Sequence, residues 1–199
     1  PSRGLGDVYK RQPGVLQRIG VVFYVTSILY LRFNKEVLIL LSIWLASSYF
    51  ILLRCIPFFD GNLPTYDRLP NNWVNYIDVT LLGNHLWKPD YDPEGILSTL
   101  PTIISCLIGV FIGEILKTKS SKIIIQQLLI IGTSFLVIGY LWSYVVPINK
   151  SLWTSSFIFI TSGWAILFLL LIYYVYDVRN ASWGAIFSYA GANAIIIYF

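Results

Sequence analysis

Six blocks of roughly 20 apolar residues dominate this chain, at the length a helix needs to cross a bilayer: Val15 to Phe33, Val37 to Ile56, Ile96 to Leu116, Ile123 to Val146, Leu152 to Tyr176 and Trp183 to Phe199. In hydrocarbon every backbone amide must be satisfied within the protein, so such blocks fold as helices or as a closed barrel. The alternating ten-residue strands of a barrel are absent from the sequence. The fold expected is therefore all-α, a polytopic transmembrane helical bundle of about six spans. Composition agrees: 56% of residues are apolar and 12% charged, far from the balance of a water-soluble domain.

The first twelve residues read differently. Asp7-Val8-Tyr9-Lys10-Arg11-Gln12 resembles the translation of a transposon-end adapter used in preparing sequencing libraries. Residues 1–12 are therefore set aside as a scar, and 13–199 are taken as one membrane domain. Without Arg3, Lys10, Arg11 and Asp7 the formal charge falls from +4 to +2, and the basic balance ceases to argue for nucleic acid. Both ends read as breaks in a longer chain, the last span being cut short.

The connections between blocks alternate. Arg32, Lys35, Lys117, Lys119, Lys122 and Arg179 crowd short turns on one side. On the other side an extended loop, residues 57–95, carries Asp60, Asp67, Asp78, Asp90, Asp92 and Glu94. The positive-inside rule places the loop outside. Trp73, Trp87, Trp142, Tyr144 and Trp153 fall at the outer boundary, as an aromatic belt does. Cys55 and Cys106 lie at different depths, which argues against a disulfide. No metal-ligand spacing, phosphate loop or hydrolase nucleophile is visible, and the pair Gly109 and Gly113 reads as a helix-packing motif.

Few polar residues invite chemistry, and each has a plainer reading. His85, the one histidine, shares the loop's end with carboxylates and could act as a base, or simply fix a turn by hydrogen bonding. Asp92-Pro93-Glu94 has the form of a helix start, with an N-cap aspartate, proline at the first position and glutamate facing the dipole. Arg18 sits within the first span, where it either snorkels or binds an anion. Asn149 reads as the N-cap of the fifth span, Lys150 leaves a cation near the acidic loop, and Asn193 is an amide inside the sixth span that faces a neighbouring helix. Glu114 is positioned to pair with Lys117.

Five motifs in order carry a resemblance: Pro13-Gly14-Val15-Leu16-Gln17-Arg18; Tyr76-Ile77-Asp78 with Leu82-Gly83-Asn84-His85-Leu86; Tyr91-Asp92-Pro93-Glu94-Gly95-Ile96-Leu97; Pro147-Ile148-Asn149-Lys150-Ser151-Leu152-Trp153; and Asp177-Val178-Arg179. They resemble the heparan-alpha-glucosaminide N-acetyltransferase family and its bacterial relatives. The resemblance implies an integral protein of a bacterial inner membrane, with the 57–95 loop facing the periplasm. It further implies acetyl-CoA as acetyl donor and a glucosamine-type sugar as acceptor, in contact with lipid and not with nucleic acid; assembly with further copies is left open.

On that reading His85, Asp92, Glu94, Asn149 and Lys150 face the sugar, while Arg18 and Asn193 meet the donor. The family's proposed active histidine precedes the first span, so His85 does not inherit its role, no catalytic residue is assigned and this piece alone is expected to be inactive. Two other classes stay open: an amino-sugar transporter, and a structural partner of a membrane complex that does no chemistry.

Overall fold

The computed structural model describes residues 14–179 apart from 68, 70, 89–91 and 119, together with residue 191. Among these residues, five helices are long and apolar enough to cross a membrane. They are α1 (Val15–Arg32), α2 (Lys35–Arg54), α4 (Ile96–Thr118), α5 (Ser121–Trp142) and α6 (Ser155–Tyr173), the last running into a π-helical turn, Tyr174–Val178. They coincide with the first five expected spans. The sixth lies outside the described residues, as does Asn193.

The helices are short of polar residues because lipid is their solvent. Leu31 is 82% exposed and Phe23 67%, which is tolerable where the surrounding medium is hydrocarbon. Inside, Val22, Leu38, Ile103 and Leu107 join α1, α2 and α4, while Ile112, Ile124, Leu128 and Ile166 join α4, α5 and α6. α5 and α6 pack closely as an antiparallel pair. A Cβ at Gly163 would come within 3.0 Å of the Gly132 carbonyl oxygen, and one at Gly139 within 3.0 Å of the Ile160 backbone nitrogen.

The packing role expected of Gly109 and Gly113 belongs to these three glycines instead. A Cβ at either 109 or 113 would meet open space among the described residues. Small-residue spacing was there, but the facing helix backbone approaches at 132, 139 and 163.

Three helix starts differ from expectation. The 57–95 loop holds a further helix, α3 (Trp73–Leu82), whose N-cap Asn72 accepts from Val74 N at 3.0 Å and Asn75 N at 3.3 Å. The fifth span begins at Ser155 with Thr154 as its cap. Asn149 closes a turn before it, accepting from Ser151 N at 2.9 Å and Leu152 N at 3.2 Å. Hydropathy could not separate Leu152 and Trp153 from the helix they precede.

The third difference concerns Asp92-Pro93-Glu94. The helix starts at Ile96, not Pro93. Asp92 Oδ1 caps the preceding turn by accepting from Glu94 N at 2.9 Å. The first amides of α4 turn to a residue of another helix, as described below.

At the basic end of the bundle Glu114 meets α1 and α2: Tyr30 OH donates to its Oε1 at 3.1 Å, and Lys35 Nζ lies 3.7 Å from Oε2. The α1–α2 turn and the C-terminal end of α4 are therefore neighbours, as an alternating path across a membrane requires. Cys55 and Cys106 are free thiols.

Candidate functional site

At the opposite end of the bundle, four segments converge on Arg18. The guanidinium is buried, 8% exposed, one turn into α1. Its Nη1 donates to Pro93 O at 3.0 Å and its Nη2 to Ser98 Oγ at 3.1 Å and to Ser98 O. Pro101 brings no N–H to the first turns of α4, and Arg18 supplies donors there from outside. Its planar face lies 4.5 Å from the centre of the Trp153 ring, a cation–π contact strengthened by burial.

Trp153 holds this position at a price in backbone conformation: its φ is 51°, in the left-handed region that non-glycine residues seldom adopt. The indole Nε1 donates to Ser105 Oγ at 3.1 Å, and Tyr49 OH donates to the adjacent Leu152 carbonyl at 2.5 Å. Trp153, expected at the outer boundary, also packs on Arg18. A strained, half-buried tryptophan leaves no mark in a sequence, where left-handed positions are expected at Gly or Asn.

Asp78 is the second centre. It is 1% exposed on α3, and its Oδ1 accepts from Ile96 N at 2.9 Å and Leu97 N at 3.4 Å. It therefore caps α4 from 18 residues upstream. A Cβ at Gly95 would overlap the Asp78 carboxylate, so glycine is needed there for close approach. Asp78 Oδ2 and Arg18 Nε are both buried without a hydrogen-bond partner among the described residues. Asp78 falls within the second of the five sequence motifs, outside the residues expected to form the site. The available signal was a lone carboxylate inside the otherwise apolar run Val74 to Leu82.

Burial pushes the Asp78 carboxyl up to about 6; the bonds from Leu97 and Ile96 and the charge of Arg18 oppose this, and Asp92 adds to it. A carboxyl raised on folding stabilises the fold below its unfolded value, and that contribution is lost as pH rises through about 6. The wild type is therefore expected to gain stability on acidification from pH 7 through this window. Asp78→Asn, which keeps an oxygen acceptor for the cap, should lack that gain. Unfolding titrations of both proteins at matched pH measure the difference.

The remaining selected residues fall around this centre. Asp92 is 2% exposed, and its Oδ2 accepts from Trp87 N at 2.8 Å. That bond ties the 3-10 turn Gly83–His85 to the start of α4. His85 is exposed at the turn's end, Glu94 is half-buried, and Lys150 is exposed. Arg18 lies in the electrostatic field of Glu94, Asp78 and Asp92. Asn149 Nδ2 donates to Tyr66 O at 3.3 Å, fastening the α5–α6 turn to the loop. The structure thus gathers Arg18, Asp78, Asp92 and Glu94 into one acidic mouth with a single buried cation, while His85 and Lys150 stand at its surface.

Apolar helices long enough to cross a membrane, with a buried polar cluster at one end, define an integral membrane protein. Comparison of sequences makes this more specific: the chain is similar to the heparan-alpha-glucosaminide N-acetyltransferases. It is 31% identical to the mouse protein of that name and 30% to the human one, each alignment covering 94% of this chain. The chain spans 37% of the mouse protein and 36% of the human one. No protein-family model matches it.

Proposed function

We propose that this chain is the membrane-embedded part of an N-acetyltransferase that moves an acetyl group from acetyl-CoA to the amine of a glucosamine-type sugar. The observation that carries the reading is the acidic mouth around Arg18, built from the segments that align with acetyltransferases named for that sugar. Carboxylates at Asp78, Asp92 and Glu94 attract an ammonium acceptor. The amine must then lose a proton before its nitrogen bonds the acetyl carbon and the thiolate leaves. Arg18 Nη1 keeps a second N–H and Nε–H has no acceptor among the described residues; these donors are assigned to the acetyl carbonyl oxygen, where negative charge develops.

In this reading residues 57–95 face the periplasm of a bacterial inner membrane and the basic end faces the cytoplasm. His85, Asn149 and Lys150 line the approach of the sugar. Asn193, on the sixth apolar block, is assigned to the donor side.

The test uses sealed native-membrane vesicles, with labelled acetyl-CoA on the basic side and glucosamine only on the side of the loop. Labelled N-acetylglucosamine on the loop side is the expected product. Uptake of sugar with no acetylation would replace this reading by that of a transporter. His85→Ala is expected to raise the KM for glucosamine about ten-fold, the loss of one hydrogen bond to a polar ligand, with its expression and folding unchanged. Unaltered KM would remove His85 from the site.

A further inference from the structure

Helix α3 is built inside out for a helix in water. Its polar side chains Asn75 and Asp78 are buried, while Tyr76, Val79 and Leu81 are exposed, Leu81 by 63%. A helix that borders water shows the reverse, with polar residues outward and an apolar stripe toward the core. The exposed face carries no charge, and its threonine is turned back on the helix: Thr80 Oγ1 donates to Tyr76 O at 2.7 Å.

A tight turn extends this face. Phe58 N donates to Asn62 O at 2.8 Å and Gly61 N to Phe58 O at 2.9 Å, and Gly61 takes the left-handed φ of 80° that suits glycine. Phe59 stands in this turn, 72% exposed. The rings of Phe58, Phe59, Trp73 and Tyr76 pack on one another with centroids 4.7 to 6.0 Å apart, in the tilted and edge-on arrangements that aromatic pairs favour. An ordered, exposed apolar patch of this kind marks a contact surface.

Its position identifies the partner. Trp73 Nε1 donates to Ile56 O at 3.0 Å, just past the end of α2 at Arg54. Asp78 caps Ile96 and Leu97, the first residues of α4. These two ties hold α3 at the level where two spanning helices end, the depth of lipid headgroups and the first acyl carbons. The ring cluster continues there from Ile51 and Ile56, exposed at the end of α2 on a surface that meets lipid. Trp and Tyr are the side chains that favour this depth.

We propose that α3 and the 58–62 turn lie in the membrane interface and bind lipid, with the rings of Phe58, Phe59, Trp73 and Tyr76 at the boundary of headgroups and acyl chains. The partner is the lipid surface itself, without headgroup preference, because the exposed face of α3 is uncharged. This inference is independent of acetyl transfer. Helix α3 joins two media: Asp78 reaches into the buried cluster, and the opposite face rests on the bilayer.

The experiment measures the depth of a bimane label in phosphatidylcholine vesicles, attached through Val79→Cys or Leu81→Cys in the whole chain carrying Cys55→Ser and Cys106→Ser. Both labelled positions are exposed, so the label displaces no core packing, and the second serves where the first fails to fold. Lipid with a doxyl group near the headgroup is expected to quench the label more than lipid with one at the acyl-chain midpoint. Quenching by aqueous iodide should fall several-fold below that of the free dye, as for a helix face about 5–10 Å into the headgroup and acyl boundary. Iodide quenching at the free-dye rate would place α3 in water and overturn the proposal. Resistance to iodide and to both lipids would overturn it as well, by revealing a protein cover such as a second copy. So would protection from iodide that appears only with glucosamine oligomers, the result for a sugar-stacking platform.

Discussion

Arg18→Ala is expected to destabilise the protein by about 3–5 kcal/mol, the usual result of removing one partner from a buried, hydrogen-bonded charge set. Its guanidinium supplies donors to Pro93 O, Ser98 O and Ser98 Oγ, covers the Trp153 ring, and offsets the charges of Glu94, Asp78 and Asp92. Alanine leaves Pro93 O without its Arg18 donor, strips one bond each from Ser98 O and Ser98 Oγ, which keep Thr102 Oγ1 and Gly95 O, and leaves the carboxylates without their cation. Lysine retains the charge but has no planar fork to bridge two segments, so Arg18→Lys should recover only part of the loss. Unfolding in mixed micelles, followed by tryptophan fluorescence, reads both variants. Adding Asp78→Asn to Arg18→Ala should restore some stability, because it removes a charge that alanine has orphaned. A change below about 1 kcal/mol for Arg18→Ala would mean that the guanidinium is solvated and the mouth is not a closed polar centre.

This centre also shows where reading the sequence succeeds and where it stops. The five described spans were legible because the bilayer imposes a length and a composition that few other folds share. Arg18 was legible as an anomaly, since a charge within a span requires a partner. Its partners were not legible, being two backbone carbonyls and a tryptophan face that only tertiary structure brings within reach.

Helix α3 was hidden by its brevity; ten residues from Trp73 to Leu82 make no hydropathy block, although Asn72 before them is a good capping residue. Local rules also misled at Asp92-Pro93-Glu94. The motif has the chemistry of a helix start, but Asp78 takes the first amides of α4 and moves the start to Ile96. Long-range capping of this kind has no periodicity to detect.

The same contact supports a prediction of comparable size. Gly95→Ala is expected to destabilise the protein by about 2–4 kcal/mol, because its new Cβ would occupy the space of the Asp78 carboxylate and free the amides of Ile96 and Leu97 in a buried turn. The reason is steric, since Gly95 is not among the residues with positive φ and alanine suits its backbone. Asp78→Ala alone removes the cap and should lose about 1–2 kcal/mol. If both losses arise from one contact, they will not add. Once Asp78 is alanine the space beside residue 95 is open, so the double variant should be little worse than Asp78→Ala, giving a coupling of about 1–3 kcal/mol in a double-mutant cycle. Additive losses would place the Gly95 effect elsewhere, and would separate the start of α4 from α3, whose Asp78 caps it.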